Sequence, residues 1–159
     1  MIYSKSAEYA IRATIHLAQI PDGSCAMAKD IAHEEDVPAP FLAKILHELA
    51  RKGLLHSVKG PSGGFSLKKK AADLRLLDVV GAVDGLSHYS QCIAGFGQCN
   101  DKVPCPLHDS WIVLHSRIMD YLERNTVGSL VKAMNAKKKA AAKGVKKASE
   151  SRKALRTSL

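Results

Sequence analysis

The sequence predicts a mainly α-helical fold: a winged helix-turn-helix with a small β-hairpin wing, then a long C-terminal dimerisation helix. Three observations predict it. A short helical stretch, a turn at Asp36-Val37-Pro38 and a longer helical stretch from Ala39 to Lys52 follow one another. A glycine-rich hairpin comes next, with Leu54-Leu55-His56-Ser57-Val58-Lys59 and Phe65-Ser66-Leu67 on either side of Gly60-Pro61-Ser62-Gly63-Gly64. Further on, Leu107, Trp111, Leu114, Ile118 and Tyr121 recur at alternating spacings of four and three, the heptad seam of a helix that packs on another helix.

Each element has its own signal. Ala7, Ala10, Ile11, Thr14, Ile15 and Ala18 give one apolar face to a first helix from about Ser4 to Gln19, which Pro21-Asp22-Gly23 ends. Glu8 and Arg12, four apart, form an ordinary ion pair on its surface. Met27 to Glu34 reads as the short helix, and Phe41, Leu42, Ile45, Leu46 and Leu49 are the apolar stripe of the longer one. Short helix, turn and longer helix place the second helix in a major groove. The turn at Gly60–Gly64 demands positive φ angles, and Lys68-Lys69-Lys70 closes the hairpin. Such a wing lies along the DNA backbone or in the minor groove. The other reading of this half is a small α+β domain with an exposed basic hairpin. Asp73 to Val83 is a further helix, Pro106 to about Arg124 carries the heptad seam, and Leu130, Val131 and Met134 suggest a short final turn of helix.

The bulk composition sets limits. With 159 residues the chain supports one domain, or a small domain plus an appendage. It is 46% hydrophobic and 25% charged, as a soluble globular protein is, and no apolar run is long enough to span a bilayer. The N-terminus lacks an apolar signal-peptide core, which predicts a cytoplasmic protein with reduced thiols. The net charge of +9 is uneven: residues 135–159 carry nine Lys/Arg against Glu150, leaving residues 1–134 at only +1. Basicity therefore does not make the body a nucleic-acid binder; the pattern does. The tail is too poor in large apolar residues to order itself. It is either a salt-sensitive, sequence-independent attraction to DNA or a solubilising segment.

Chemistry concentrates between Cys92 and His108. Cys92, Cys99 and Cys105 are separated by six and then five residues, and His108 follows three later. Gly95, Gly97, Pro104 and Pro106 make the segment a loop. Pro106 reads as the first residue of a helix, so Cys105 is expected at the helix cap, where the dipole favours a thiolate. Thiolates suit zinc or an iron–sulfur cluster rather than magnesium or calcium. The same spacing also suits three reduced structural or redox thiols beside a surface histidine. Cys25, alone in a predicted loop, is a packing or incidental thiol. No nucleophile–base pairing or phosphate loop points to an enzyme.

Residues 1–134 resemble the IscR/NsrR/RirA family of bacterial transcription regulators, the Rrf-two superfamily. The matching stretches are Ser6-Ala7-Glu8-Tyr9-Ala10, Gly53-Leu54-Leu55, Val58-Lys59-Gly60-Pro61-Ser62-Gly63-Gly64-Phe65, and Cys92, Cys99 and Cys105-Pro106-Leu107-His108. The resemblance implies a homodimer that binds palindromic promoter DNA. It implies a [2Fe-2S] or [4Fe-4S] cluster on Cys92, Cys99 and Cys105. The fourth ligand is then His108, as in IscR-like members, or Glu8 of the partner subunit, as in NsrR-like members. The first cysteine gap is one residue longer than in IscR. Pro40 and Ala43 stand where IscR has polar base-readers, leaving Lys44 and His47 as readers and Lys59, Ser62 and Gly63 as wing contacts.

The expected organisation is a DNA-binding domain over residues 1–84, a cluster-binding loop over 85–105, a dimerisation helix and short final helix over 106–134, and a disordered basic tail over 135–159. The expected function is a dimeric DNA-binding regulator, a repressor, gated by an iron–sulfur cluster that senses redox state, nitric oxide or iron supply. Two rivals remain: a cluster-free thiol- or zinc-based redox regulator, and an iron–sulfur electron-carrier or metal-delivery protein.

Overall fold

A computed structural model describes residues 2–60, 63–86, 91–97 and 99–141. Helix α1 (Lys5–Leu17) starts at Ser4, whose hydroxyl caps the Ala7 N–H at 3.1 Å. The Ser4 backbone N–H also donates to Asp84 at 2.8 Å, and its hydroxyl donates to the same carboxylate, which ties the start of α1 to a residue eighty positions further along the chain. Ala7, Ala10 and Ala13 are fully buried, so α1 approaches its neighbours closely. The expected Glu8–Arg12 pair does not form. Glu8 instead binds Lys5 at 2.7 Å, and Arg12 reaches across to Glu35 at 3.2 Å.

Helices α2 (Ala28–Glu34) and α3 (Ala39–Arg51) meet at a turn in which Asp36 adopts φ 50°, a left-handed conformation that Asp tolerates. Leu42, Ile45, Leu46 and Leu49 of α3 are buried. Phe41, expected in that stripe, is 42% exposed and packs edge-on against Tyr9 of α1 at 5.8 Å. The wing follows as β1 (Leu55–Val58) and β2 (Gly64–Leu67), antiparallel with Leu55 opposite Leu67 and Val58 opposite Gly64. A single further rung, on the other edge of β2, is supplied by Ala26, which exchanges both backbone hydrogen bonds with Phe65 at 3.0 and 2.9 Å. Gly64 has φ 149°, and a Cβ there would lie 2.4 Å from the Ala26 oxygen.

The helix expected from Asp73 to Val83 is divided. A 3-10 turn, Ala71–Asp73, is followed by extended Leu74 and Arg75, and α4 spans Leu76–Asp84. The division has a cause: Leu74 and Leu76 pair with the strand-like link after α5 (His108–Arg124). Val127 N–H donates to Leu74 C=O at 2.8 Å and Leu76 N–H to Asn125 C=O at 2.9 Å. These bonds fasten the C-terminal end of α5 to the winged body, and Leu122 and Val127 join its core, fully buried.

Two further expectations are corrected. Helix α5 begins at His108 with Leu107 as its N-cap, so Pro106 lies in the preceding turn and Cys105 is not at the cap. The final helix, α6, covers 127–141 rather than a short turn ending before 135, because its Ala and Lys residues are strong helix formers. Residues 135–141, expected to be disordered, are therefore helical, while 142–159 lie outside the described residues. No helix among the described residues is long and apolar enough to cross a membrane.

Candidate cysteine centre and nucleic-acid interface

The cysteine loop is held by its own backbone. Cys92 N–H donates to Gly97 C=O at 2.7 Å and Gly95 N–H to Cys92 C=O at 2.9 Å. Gly95 and Gly97 take φ 79° and 90°, as the sequence expects of glycines in a tight loop. This curl brings Cys92 Sγ to 3.5 Å from Cys105 Sγ. At the start of α5, His108 is buried with its Nδ1 3.7 Å from Cys99 Sγ. Its Nε2 lies 2.9 Å from Asp101 Oδ1, and its backbone N–H donates to Cys105 C=O at 3.0 Å.

The four sequence-predicted donors thus come together as two pairs, Cys92 with Cys105 and Cys99 with His108. Among the described residues no three or more His, Cys, Asp or Glu side chains converge on one point as ligands of a single ion. Electrostatics distinguish the sulfurs. The backbone N–H groups of Ala94 and Phe96, then Cys105, pull the Cys92 thiol below its ordinary range. Burial, then the negative charge of Cys92 and Cys105, pushes the Cys99 thiol up. Gathering all three as thiolates therefore needs a positive centre among them, which is what a soft metal or cluster supplies. On donor chemistry the site fits an iron–sulfur group.

Asp101 escaped the sequence reading. Its signal was a carboxylate seven residues before His108 inside the same loop, legible only once the loop's curl is known. Glu8 lies in the first turn of α1, its carboxylate held by Lys5.

The candidate DNA contacts lie on α3 and on the wing. Pro40, Lys44 and His47, spaced four and three, are exposed on the outer face of α3, with Ala43 half-buried beside them. The His47 ring packs edge-on against Phe65 at 5.1 Å, joining α3 to the wing. Lys59 is exposed at the wing turn and Ser62 lies outside the described residues. Gly63 is buried: its N–H donates to Gly60 C=O at 3.0 Å, and a Cβ there would meet the Val58 oxygen at 2.2 Å. Only glycine closes the turn at this point.

A model of the Rrf2 family, described as iron-dependent transcriptional regulator, matches residues 3–133. The chain belongs to the Rrf2 family of winged-helix transcriptional regulators. Among curated relatives of this Rrf2 member, a protein of Aquifex aeolicus named for a helix-turn-helix transcriptional regulator is 35% identical over 133 residues, covering 82% of this chain and 92% of that one. The regulator IscR of Vibrio campbellii is 30% identical over 132 residues, covering 83% and 78%. Two solved structures share the fold. CymR, the global cysteine regulator of B. subtilis, has a TM-score of 0.70 at 19% identity, over 82% of this chain and 95% of that one. T. potens IscR has 0.65 at 20%, over 82% and 86%. As an Rrf2 regulator the chain is not an enzyme, and the electron-carrier and metal-delivery reading is set aside.

Proposed function

We propose that this Rrf2 regulator is a cytoplasmic homodimer, a repressor, whose grip on promoter DNA is set by an iron–sulfur cluster held by Cys92, Cys99, Cys105 and His108. The observation that carries the reading is the loop–helix junction, which gathers three sulfurs and one imidazole in two pairs at 3.5 and 3.7 Å. Glu8 of a partner chain is the alternative to His108 as fourth ligand. When bound, a cluster of either type, [2Fe-2S] or [4Fe-4S], supplies a lability toward oxidant, nitric oxide and iron shortage.

The chain's own residues supply the rest. His108 is the first residue of α5, so how the four side chains are gathered fixes where α5 begins. At its other end α5 is sewn to the winged body through Leu74, Leu76, Asn125 and Val127. In a dimer joined along α5, a change at the loop alters the spacing of two α3 helices, and half-site spacing converts that into a change in affinity. Lys44, His47 and Lys59 are the proposed contacts to bases and phosphates, with Pro40 and Ala43 closing against the groove.

Anaerobically purified protein should carry iron and sulfide and show a visible absorption band that Cys99→Ala abolishes, together with the oxidation-dependence of promoter binding. Colour and DNA response that both survive Cys99→Ala would overturn the reading. One observation favours a second reading, a cluster-free thiol switch. The Cys92 and Cys105 sulfurs, 3.5 Å apart, need only a small approach to form a disulfide. Zinc or no metal in the anaerobic protein, with a Cys92–Cys105 disulfide after oxidation, would select it.

A further inference from the structure

The family match ends at residue 133, yet α6 runs on to 141. Its root is fixed. Thr126 and Ser129 cap it reciprocally, each N–H donating to the other's hydroxyl at 3.1 Å. Val127 is fully buried, and Gly128 lies so close to the 3-10 turn that a Cβ would sit 2.9 Å from the Ala72 backbone nitrogen. Leu130 packs on the core. Residues 135–141 are all exposed, and Lys137, Lys138 and Lys139 meet no acid among the described residues. They stand nine or more residues past Gly128, about 13 Å or more along a helix.

The position of that root matters. The 3-10 turn it rests on is capped by Lys70, the last of the three exposed lysines at the foot of the wing. Lys68, Lys69 and Lys70 also line an open cleft of about 430 Å³ with His56, Ser66 and one acid, Asp22. A helix rooted beside the lysines at the foot of the wing therefore holds three further lysines off a body of charge only +1. Consecutive lysines point to different sides of the helix, and no acid among the described residues neutralises them.

We propose that α6 is a basic arm that binds the phosphate backbone of duplex DNA flanking the operator, outside the half-sites faced by α3. The inference rests on the chain being a DNA-binding regulator and adds a second, sequence-independent contact with its own geometry. Uniform phosphate charge is the one partner feature that lysines on several sides of a helix can all use.

The test compares wild type with the triple variant K137Q/K138Q/K139Q, which keeps the helical propensity of the arm; circular dichroism checks its fold. Affinity is measured against salt on three duplexes: the trimmed operator, the operator with about 20 base pairs of flank on each side, and random sequence of the longer length. On both long duplexes the variant should have a log–log salt slope shallower by about 2–3 per protomer, and about tenfold weaker binding at low salt. On the trimmed operator the two proteins should bind alike. Equal slopes on the long duplexes, or the same loss on the trimmed one, would overturn the arm. The random-sequence arm reads out even if the operator is not recognised, so failure of promoter recognition and failure of the arm are separately visible.

Discussion

Asp101 touches one edge of the His108 ring while Cys99 faces the other, so the carboxylate decides which nitrogen is turned toward the sulfurs. A carboxylate on the far ring nitrogen fixes the tautomer and makes the near nitrogen a better donor; loss of such partners typically costs ~10–100-fold in metal affinity. Asp101→Asn should therefore retain less iron and sulfide than wild type after anaerobic gel filtration, and His108→Ala less still. Equal retention in all three would mean that His108 holds nothing and that Glu8 of the partner is the fourth ligand. Gly64 makes a residue-scale prediction about stability. With φ 149° and the Ala26 oxygen 2.4 Å from any added Cβ, Gly64→Ala must strain the backbone or break the Ala26–Phe65 rung. Backbone strain of this kind costs about 1–3 kcal/mol, and the clash adds to it; urea unfolding measures the sum.

At the scale of elements, the pairing of Leu74–Leu76 with Asn125–Val127 is what makes α5 part of the winged body. Leu122 sits beside it with no exposed surface. Leu122→Ala should cost about 2–5 kcal/mol in chemical unfolding, since a buried leucine leaves a cavity. Arg75 reinforces the same junction, bonding Asp78 at 2.8 Å and Glu123 at 3.1 Å. The Arg75 side chain holds the Asp78 carboxyl below its ordinary range. A depressed carboxylate stabilises the fold above its unfolded pKa of about 3.9, and that contribution is lost as pH falls below it. Arg75→Met should thus be less stable than wild type at pH 7, with the gap closing in acid. This junction also marks where sequence reading ran out. The helix-turn-helix and wing were legible because Leu42, Ile45, Leu46 and Leu49 repeat at helical spacing and Gly60–Gly64 is turn chemistry. The break at Leu74-Arg75 was not, because it is imposed by a partner strand fifty residues away. Cys105 failed as a cap for a similar reason: Pro106 marks a helix start only statistically, and the His108–Cys105 turn moved that start on by two residues. The candidate donors Cys92, Cys99, Cys105 and His108 could be proposed from residue type and spacing, whereas the Asp101 contact depended on the fold of the loop.

For the whole molecule, the decisive surface is the outer face of α5. Leu107, Leu114 and Tyr121, one heptad apart, are each about half exposed, and Val113 is 55% exposed. Ile93, Phe96 and Val103 of the cysteine loop extend the same apolar character beyond the helix. Large apolar side chains clustered this way mark a surface that a partner covers. In the proposed homodimer a second copy would cover it, because two such seams pack knobs into holes against each other. Leu114→Glu with Tyr121→Glu places two charges in that seam without touching Leu122 or Val127, which hold α5 to its own body. The doubly substituted protein should keep its helical signal and thermal transition yet sediment as a monomer. It should also bind a palindromic promoter far more weakly than wild type, since a single recognition helix forfeits the simultaneous grip on two half-sites. Affinity for one isolated half-site should hardly change. A dimer that survives both substitutions would move the interface off α5, and the route from the cysteine loop to the spacing of the recognition helices would have to run through another element.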